Sequence, residues 1–469
     1  MKKGFALWMM VVLNLPMAHA QFVIFDVSRF NTNSNQPESI VHLDVEKDGD
    51  ADFVVAFSKD KKVVLYRKND TENKYSIVPM YSDLEGASDL TKGDFNNDGF
   101  EDIIASGTVA GNHRIVFMEN NKTGGFRQFE EVVKSTSNAY QGLEAIDFDQ
   151  DGDLDFLSVE FSTVSDPGDL TLWQNDGSAN FTAKVFSSNS VDARQSTSLD
   201  YDKDGDLDVI VAEGLGKKLA LYTNNGSLSF TKKTLIADLN ICNSLATHDF
   251  NNDQKPDFLL SEYVGDMVKL YVSNAANTYD LVVINGTVDA PGDVAIIDFQ
   301  KDGSMDILIA SYFENNIKMY TNAGNGANGL PQFNNIGSYS LSNAYSLTVG
   351  DFNQDNKEDF AAVGLGYSGF VTFHNETVIV SVDDLSYNAF DVSLYPSLVS
   401  HNLTIQTQSD RAIDQITIYN VSGHAIYHQQ VSDITTTLDC SSFAPGTYFA
   451  KVNDMAGRTK TIRFIKVEY

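Results

Sequence analysis

Only two cysteines, Cys242 and Cys440, occur in 469 residues. They fall in segments of different character and read as small buried hydrophobes. A disulfide framework is therefore excluded as the source of stability. Bases are scarce as well: 33 Lys and Arg face 64 Asp and Glu, a formal net charge of −31. Nucleic-acid binding wants a basic face, so that class is excluded. Beyond residue 20 no apolar run is long enough to span a membrane as a helix. Catalytic signatures are missing too: there is no HExxH, no GxSxG and no phosphate-binding glycine loop.

What the chain does have is an acidic loop repeated seven times. Side-chain oxygens stand at positions one, three, five and nine, usually with Gly or Asn at six. The copies are Asp44, Glu46, Asp48, Asp52; Asp94, Asn96, Asp98, Asp102; Asp147, Asp149, Asp151, Asp155; and Asp200, Asp202, Asp204, Asp208. They continue with Asp249, Asn251, Asp253, Asp257; Asp298, Gln300, Asp302, Asp306; and Asp351, Asn353, Asp355, Asp359. Successive first aspartates are 50, 53, 53, 49, 49 and 53 residues apart. A fixed period of this size marks an array of equal structural units.

Calcium takes six to eight hard oxygen ligands, and alternate residues of a curled loop can supply them. A glycine at position six permits the positive φ of the curl. Position seven can add its carbonyl, which frees its side chain to vary. The helical EF-hand closes with a Glu at twelve. These flanks are instead β-like, as in Asp208-Val-Ile-Val-Ala, so the reading is a calcium hairpin. Ordinary Asx turns are the alternative for one copy; seven copies with oxygen at every ligand position favour up to seven structural calcium ions. Loops three and four are expected to bind best. Gln254, where Gly is wanted, and the long Gln300 mark loops five and six as weakest.

Each period divides into four short strands. In the fourth repeat these are residues 195–200, 207–213, 218–224 and 230–236, with a turn at Asn225-Gly226. Four strands per unit and seven units imply an all-β fold, a seven-bladed β-propeller over 21–380. The aromatics near the third-strand ends, such as Trp173, Tyr222 and Tyr320, are expected to pack between blades. Aromatics open the fourth strand 19 residues before the next loop at Tyr75, Phe181, Phe230 and Tyr279. Phe25 keeps the same distance from Asp44, yet no blade precedes it. Residues 22–30 are therefore expected to complete blade seven and hide two sheet edges. The rival fourth strand is 377–382.

The ends of the chain carry other signals. Lys2 and Lys3, an apolar run over 4–15 and Ala18-His19-Ala20 read as a secretory leader, residues 1–20. From about residue 388 the acid loops stop. A linker is expected over 381–387 and a small C-terminal β-sandwich over 388–469.

The loops, with turns such as Leu221-Tyr222-Thr-Asn224-Asn-Gly226, resemble the FG-GAP/VCBS repeat family, whose calcium-loop propellers include the integrin α-subunit head. That resemblance specifies fold far better than function. The terminal segment resembles the type A sorting domain of the type IX secretion system of Bacteroidetes. It carries Tyr395-Pro396-Ser397, Asn402-Leu403-Thr-Ile405, Ile416-Thr-Ile-Tyr419-Asn-Val421-Ser-Gly423, Pro445-Gly446-Thr-Tyr448-Phe449 and Phe464-Ile465-Lys466. Ser397 departs from the usual Asn. This resemblance implies export through the periplasm by that machinery, to the surface or the medium.

The expected role is adhesion to, or recognition of, an extracellular glycan or protein. Phe161, Tyr263, Tyr312, Phe313 and Tyr367 follow the second strands, on the face away from the acid loops, and are candidate ligand contacts. A polysaccharide-degrading enzyme and a passive envelope or matrix protein are the alternatives. No catalytic residue is assigned. His42 and His248, beside acid loops, read as strand residues rather than bases.

Overall fold

A computed structural model describes residues 8–12, 19–32, 34–69, 74–127, 130–135, 138–284, 288–381, 392–396, 398–407, 412–420, 425–455 and 459–467. The described residues are strand and loop, without helix. Residues Asp26–Asn375 form one compact unit; Met1–Phe25 and Glu376–Tyr469 fall in another.

The first unit holds seven antiparallel sheets. Their innermost strands are Pro37–Leu43, Glu85–Gly93, Tyr140–Ile146, Ala193–Leu199, Cys242–His248, Pro291–Ile297 and Ala344–Gly350. Each touches the next, and the seventh touches the first, so the blades close a ring. Blade four comprises Ala193–Leu199, Asp208–Glu213, Lys218–Asn224 and Phe230–Ala237, within two residues of the sequence reading.

Burial explains why the strands look so different in sequence. Every residue of each second strand is buried in six of the seven blades, as in Asp208–Glu213 and Asp306–Ser311. Such strands pack on both faces and read as unbroken apolar runs. The outer strand Phe230–Ala237 is mostly exposed and carries Thr231, Lys232 and Lys233. Between the blades lie the aromatics. Within blade three Trp173 stacks on Phe156 with centroids 5.6 Å apart, and Phe181 crosses to Phe95 of blade two at 5.8 Å. Tyr222 and Tyr320 likewise sit in cores shared with a neighbouring blade. The asparagine two residues later adds a polar tie. Asn175 Nδ2 donates to the Phe95 carbonyl at 2.7 Å, and Asn120 Nδ2 to that of Val45 at 3.1 Å.

Ring closure follows the first of the two alternatives. His19–Asn31 lies beside Gly369–Asn375 as the outer strand of blade seven. Phe30 stacks on Phe370 at 4.8 Å and meets Tyr75 of blade one edge-on at 4.7 Å. The rival segment, as Val378–Ser381, pairs instead with His19–Phe22. Trp8–Val12, within the expected leader, pairs antiparallel with Gln21–Phe25.

The C-terminal sandwich has a three-stranded sheet of Val392–Tyr395, Asn402–Thr407 and Thr435–Asp439. Its second sheet has five strands, with Gly446–Asp454 at the centre. Leu403, Ile405, Ile416, Ile418 and Phe464 fill the core. Ser397, Val421, Gly423 and the expected linker from 382 on lie outside the described residues. Both cysteines are buried free thiols, as expected.

Gly369 has no room for a side chain: an added Cβ would overlap the Phe30 carbonyl oxygen. Gly369→Ala should therefore strain the closing pair and lower stability by about 1–3 kcal/mol. The urea midpoint, compared with that of the parent chain, checks this; an unchanged midpoint would place closure elsewhere.

Candidate metal centres

Each acid loop is first a hydrogen-bonded curl. The position-six amide donates to the position-one carboxylate in all seven, from 2.6 Å for Gln254 to 3.1 Å for Gly152 and Gly205. The position-seven amide donates to the position-five carboxylate in all seven. Position six has positive φ throughout, including Gln254 at 64° and Asn356 at 62°. These two side chains pay a strain that Gly205, at 101°, avoids. Position four is left-handed too, at Lys47, Asn97, Gln150, Lys203, Asn252, Lys301 and Gln354. The sequence reading missed this, because no residue type dominates there.

Position nine has a larger part than closing a ligand shell. Asp208 is fully buried; its Oδ2 accepts the Tyr201 amide at 3.0 Å and its Oδ1 the Asn224 amide at 2.8 Å. The same two bonds recur at Asp52, Asp102, Asp155, Asp257, Asp306 and Asp359. One carboxylate thus fastens the loop, the head of the second strand and the end of the third. At Asp208 a second lone pair on each oxygen is left for a cation, whereas Asp359 Oδ2 is also met by His374 Nδ1 at 3.1 Å.

The loops differ in how open their acids are. Among the described residues, three acid oxygens converge within 4.8 Å in loop three (Asp147, Asp149, Asp151) and loop four (Asp200, Asp202, Asp208). These are the two loops singled out from sequence. Elsewhere the protein's own cations intervene: Arg67 bonds Glu46 at 2.9 Å, Lys122 Asp98 at 3.1 Å and Lys357 Asp355 at 3.4 Å. Neutral donors reach loop acids too: Ser273 Oγ donates to both Asp253 oxygens at 2.9 Å in loop five, and Gln174 Nε2 to Asp149 at 2.7 Å in loop three. In loop six Gln300 is 8 % exposed.

Burial pushes the position-nine carboxyls up, to about 7 at Asp52 and Asp102, about 6 at Asp155 and Asp257 and about 8 at Asp306. The other loop acids push the same way, and the two amide bonds pull back. A cation in the loop would offset this cost. His42 is held down to about 4 by burial and bonds Thr348 at 2.8 Å, so it is a neutral strand residue.

On the other face the five candidate aromatics do not form one cluster. Tyr263 lies 6.5 Å from Tyr312, which meets Phe313 at 4.9 Å. Phe161 stands apart under the Arg194 guanidinium at 5.6 Å. Tyr367 lies toward the rim, within electrostatic reach of Arg29 and Tyr339. The loops after the second strands fan outward, so equal sequence position does not mean convergence. Tyr345, on an inner strand, joins Tyr312 at 6.3 Å. It was missed because it precedes an acid loop instead of following a second strand.

The model of the FG-GAP-like repeat matches residues 44–105, 94–158, 200–260 and 265–362, over half of the chain. That of the secretion system C-terminal sorting domain matches 393–467. This chain belongs to the FG-GAP-like repeat family, and its sorting domain marks it for type IX export to the cell surface or the medium. Among solved structures, BBS1N in complex with ARL6DN, from lead- and mercury-soaked crystals, is 11 % and 12 % identical. Each match covers 74 % of this chain and 94 % of that one, with a TM-score of 0.50. That likeness is one of fold. PorZ, a surface component of the type-IX secretion system of Porphyromonas gingivalis, is 14 % identical over 95 % of this chain and 58 % of its own, with a TM-score of 0.44. No curated protein matches.

A carboxyl raised by folding holds a proton that the unfolded chain has already released. Its stabilisation is full at low pH and is lost as pH rises through the folded value. Metal-stripped protein should therefore melt progressively lower as pH rises from about 4, the unfolded carboxyl value, and level off near about 8. Calorimetry in chelator checks the sign; a melting point rising across that window would contradict it.

Proposed function

We propose that this exported repeat protein is a calcium-ordered recognition module that binds an extracellular glycan or protein. The observation that carries the reading is the Tyr263, Tyr312 and Phe313 group, with Phe313 56 % exposed, on the face away from the acid loops. Aromatics held on a rigid scaffold suit stacking on sugars or anchoring a protein.

Calcium would be held by side-chain oxygens at positions one, three and five, with the position-seven carbonyl and a position-nine lone pair. That donor set is all oxygen, as a hard cation requires. Loops three and four would fill first. Loops one, two and seven must first release Arg67, Lys122 and Lys357. Occupancy would stiffen the curl; no chemical step is assigned to the ion. The raised position-nine acids already serve as ties, so binding without turnover is part of the proposal. Residues 1–20 would be removed as a leader, leaving Gln21 first and stripping Trp8–Val12 from its neighbour.

Two measurements test this. Full-length protein on a glycan array, in millimolar calcium and again after chelation, should give calcium-dependent hits, or else capture a surface protein; failure of both would contradict the reading. Asp147→Asn with Asp151→Asn should remove one ion from the native mass spectrum, whereas Asp302→Asn in loop six should cost less. Equal losses would contradict the ranking of the loops.

A further inference from the structure

Each blade's inner strand carries an irregularity at the same place. Register slips between Pro37 and Ser39, Tyr140 and Gly142, Ala193 and Gln195, Cys242 and Ser244, Pro291 and Asp293, and Ala344 and Ser346. The residues left out of pairing are Glu38, Gln141, Arg194, Asn243, Gly292 and Tyr345. In blade two a wider slip, Glu85 to Asp89, leaves out Ser88 among others. A bulge re-aims its side chain, and bulges gather beside functional sites. All seven residues line one cavity of 330 Å³ at the axis of the ring. They stand six residues before each acid loop, so they lie at the opposite end of the inner strands.

The composition of this ring departs from the rest of the molecule. Positions that hold the fold repeat from blade to blade, as the buried position-nine aspartate does. At the bulge the backbone repeats, but the side chains are seven different types. Equal geometry with unequal chemistry is what an asymmetric ligand requires. Gly292 contributes by omission: a Cβ there would lie 3.2 Å from the Tyr345 ring and 3.1 Å from its Cα. Arg194 is set in place by Asp192 at 3.0 Å and Asn243 at 2.8 Å and rests on Phe161. Tyr345 continues through Tyr312 into the aromatic group.

The charges narrow the class. Arg194 is already matched by Asp192 at 3.0 Å, so Glu38 is the carboxylate that the mouth presents. Asp89 and Asp293, deeper in the cavity, are each consumed by three hydrogen bonds, Asp89 to Leu90, Leu143 and Ser39, Asp293 to Val294, Leu347 and Ser244. What remains is a mouth with one carboxylate, amides and a hydroxyl beside an aromatic face, which accepts sugar hydroxyls and repels acidic sugars. We propose that this axial mouth binds one terminal, neutral hexopyranose unit: hydroxyls to Glu38, Gln141 and Arg194, and a C–H face to Tyr345. The cavity lies at the small end of ligand pockets, with room for about one sugar ring. The assignment rests on the recognition reading and names its ligand class.

The test uses the full chain in millimolar calcium, with methyl glucoside, galactoside and mannoside as probes against methyl glucuronide and glucosamine, followed by saturation-transfer NMR and calorimetry. At least one neutral glycoside should saturate. Glu38→Gln and Tyr345→Ala should each weaken it roughly tenfold or more, the loss of one charge-assisted bond or one stacking face. Melting points verify folding; if either variant melts early, Gln141→Ala supplies the comparison and should also weaken binding. Neutral binding unchanged in the variants would move the site elsewhere, and preference for the charged sugars would overturn the class. Silence from every monosaccharide beside a positive array or a captured surface protein would overturn this site while leaving the recognition reading intact.

Discussion

One buried carboxylate per blade underlies this structure. The position-nine aspartate sits where the acid loop becomes the second strand, and its two oxygens accept amides from the loop and from the end of the third strand. Unmade, each such buried amide would cost about 1–3 kcal/mol. Made seven times, the bond fixes where each second strand starts. Register then sets which faces are buried, and hence how the interblade aromatics meet. The price is a charge without water. Burial raises these acids, and the loop carboxylates beside them add repulsion. A cation in the loop would relieve both, which makes the same residues the hinge between fold and proposed metal binding.

Much of the fold was legible. The period gave the blades because equal units in a ring need equal lengths, and the unbroken apolar second strands betray burial on both faces. Residues 22–30 could be placed in blade seven from a 19-residue spacing alone. The third-strand aromatics also pack where the sequence put them. The ties between blades were not legible. Asn175 and Asn120 carry no signal of this in the sequence, although each bonds a carbonyl in the preceding blade. Asp89, Asp293 and Glu144 carry no loop pattern, yet they stitch the inner strands by side chain to backbone; Glu144 accepts the Ser198 amide at 2.8 Å. Such contacts depend on the closed ring, which brings together residues about 50 apart.

The candidate sites divide in the same way. The acid loops are local, so their curl and the positive φ at six follow from adjacent residues, whereas the residues that cap loops one, two and five, Arg67, Lys122 and Ser273, come from about 20 residues further on. The opposite face is assembled from all seven blades, and sequence grouped its aromatics by position rather than by place. Tyr367 was included though it lies toward the rim; Tyr345 and Arg194 were left out though they line the axis. Repetition in this chain marks structure, and departure from repetition marks the proposed recognition site.

Hydrogen exchange, followed residue by residue with and without calcium, tests this division of labour most directly. If position-nine aspartates hold the blades and the ion only stiffens the curl, the Tyr201 and Asn224 amides stay protected after chelation, while those of Asp204, Gly205 and Asp206 lose protection. Loss of protection at Tyr201 and Asn224 to the same extent would contradict it, and would make the cation, rather than the buried carboxylate, the element that holds the blade.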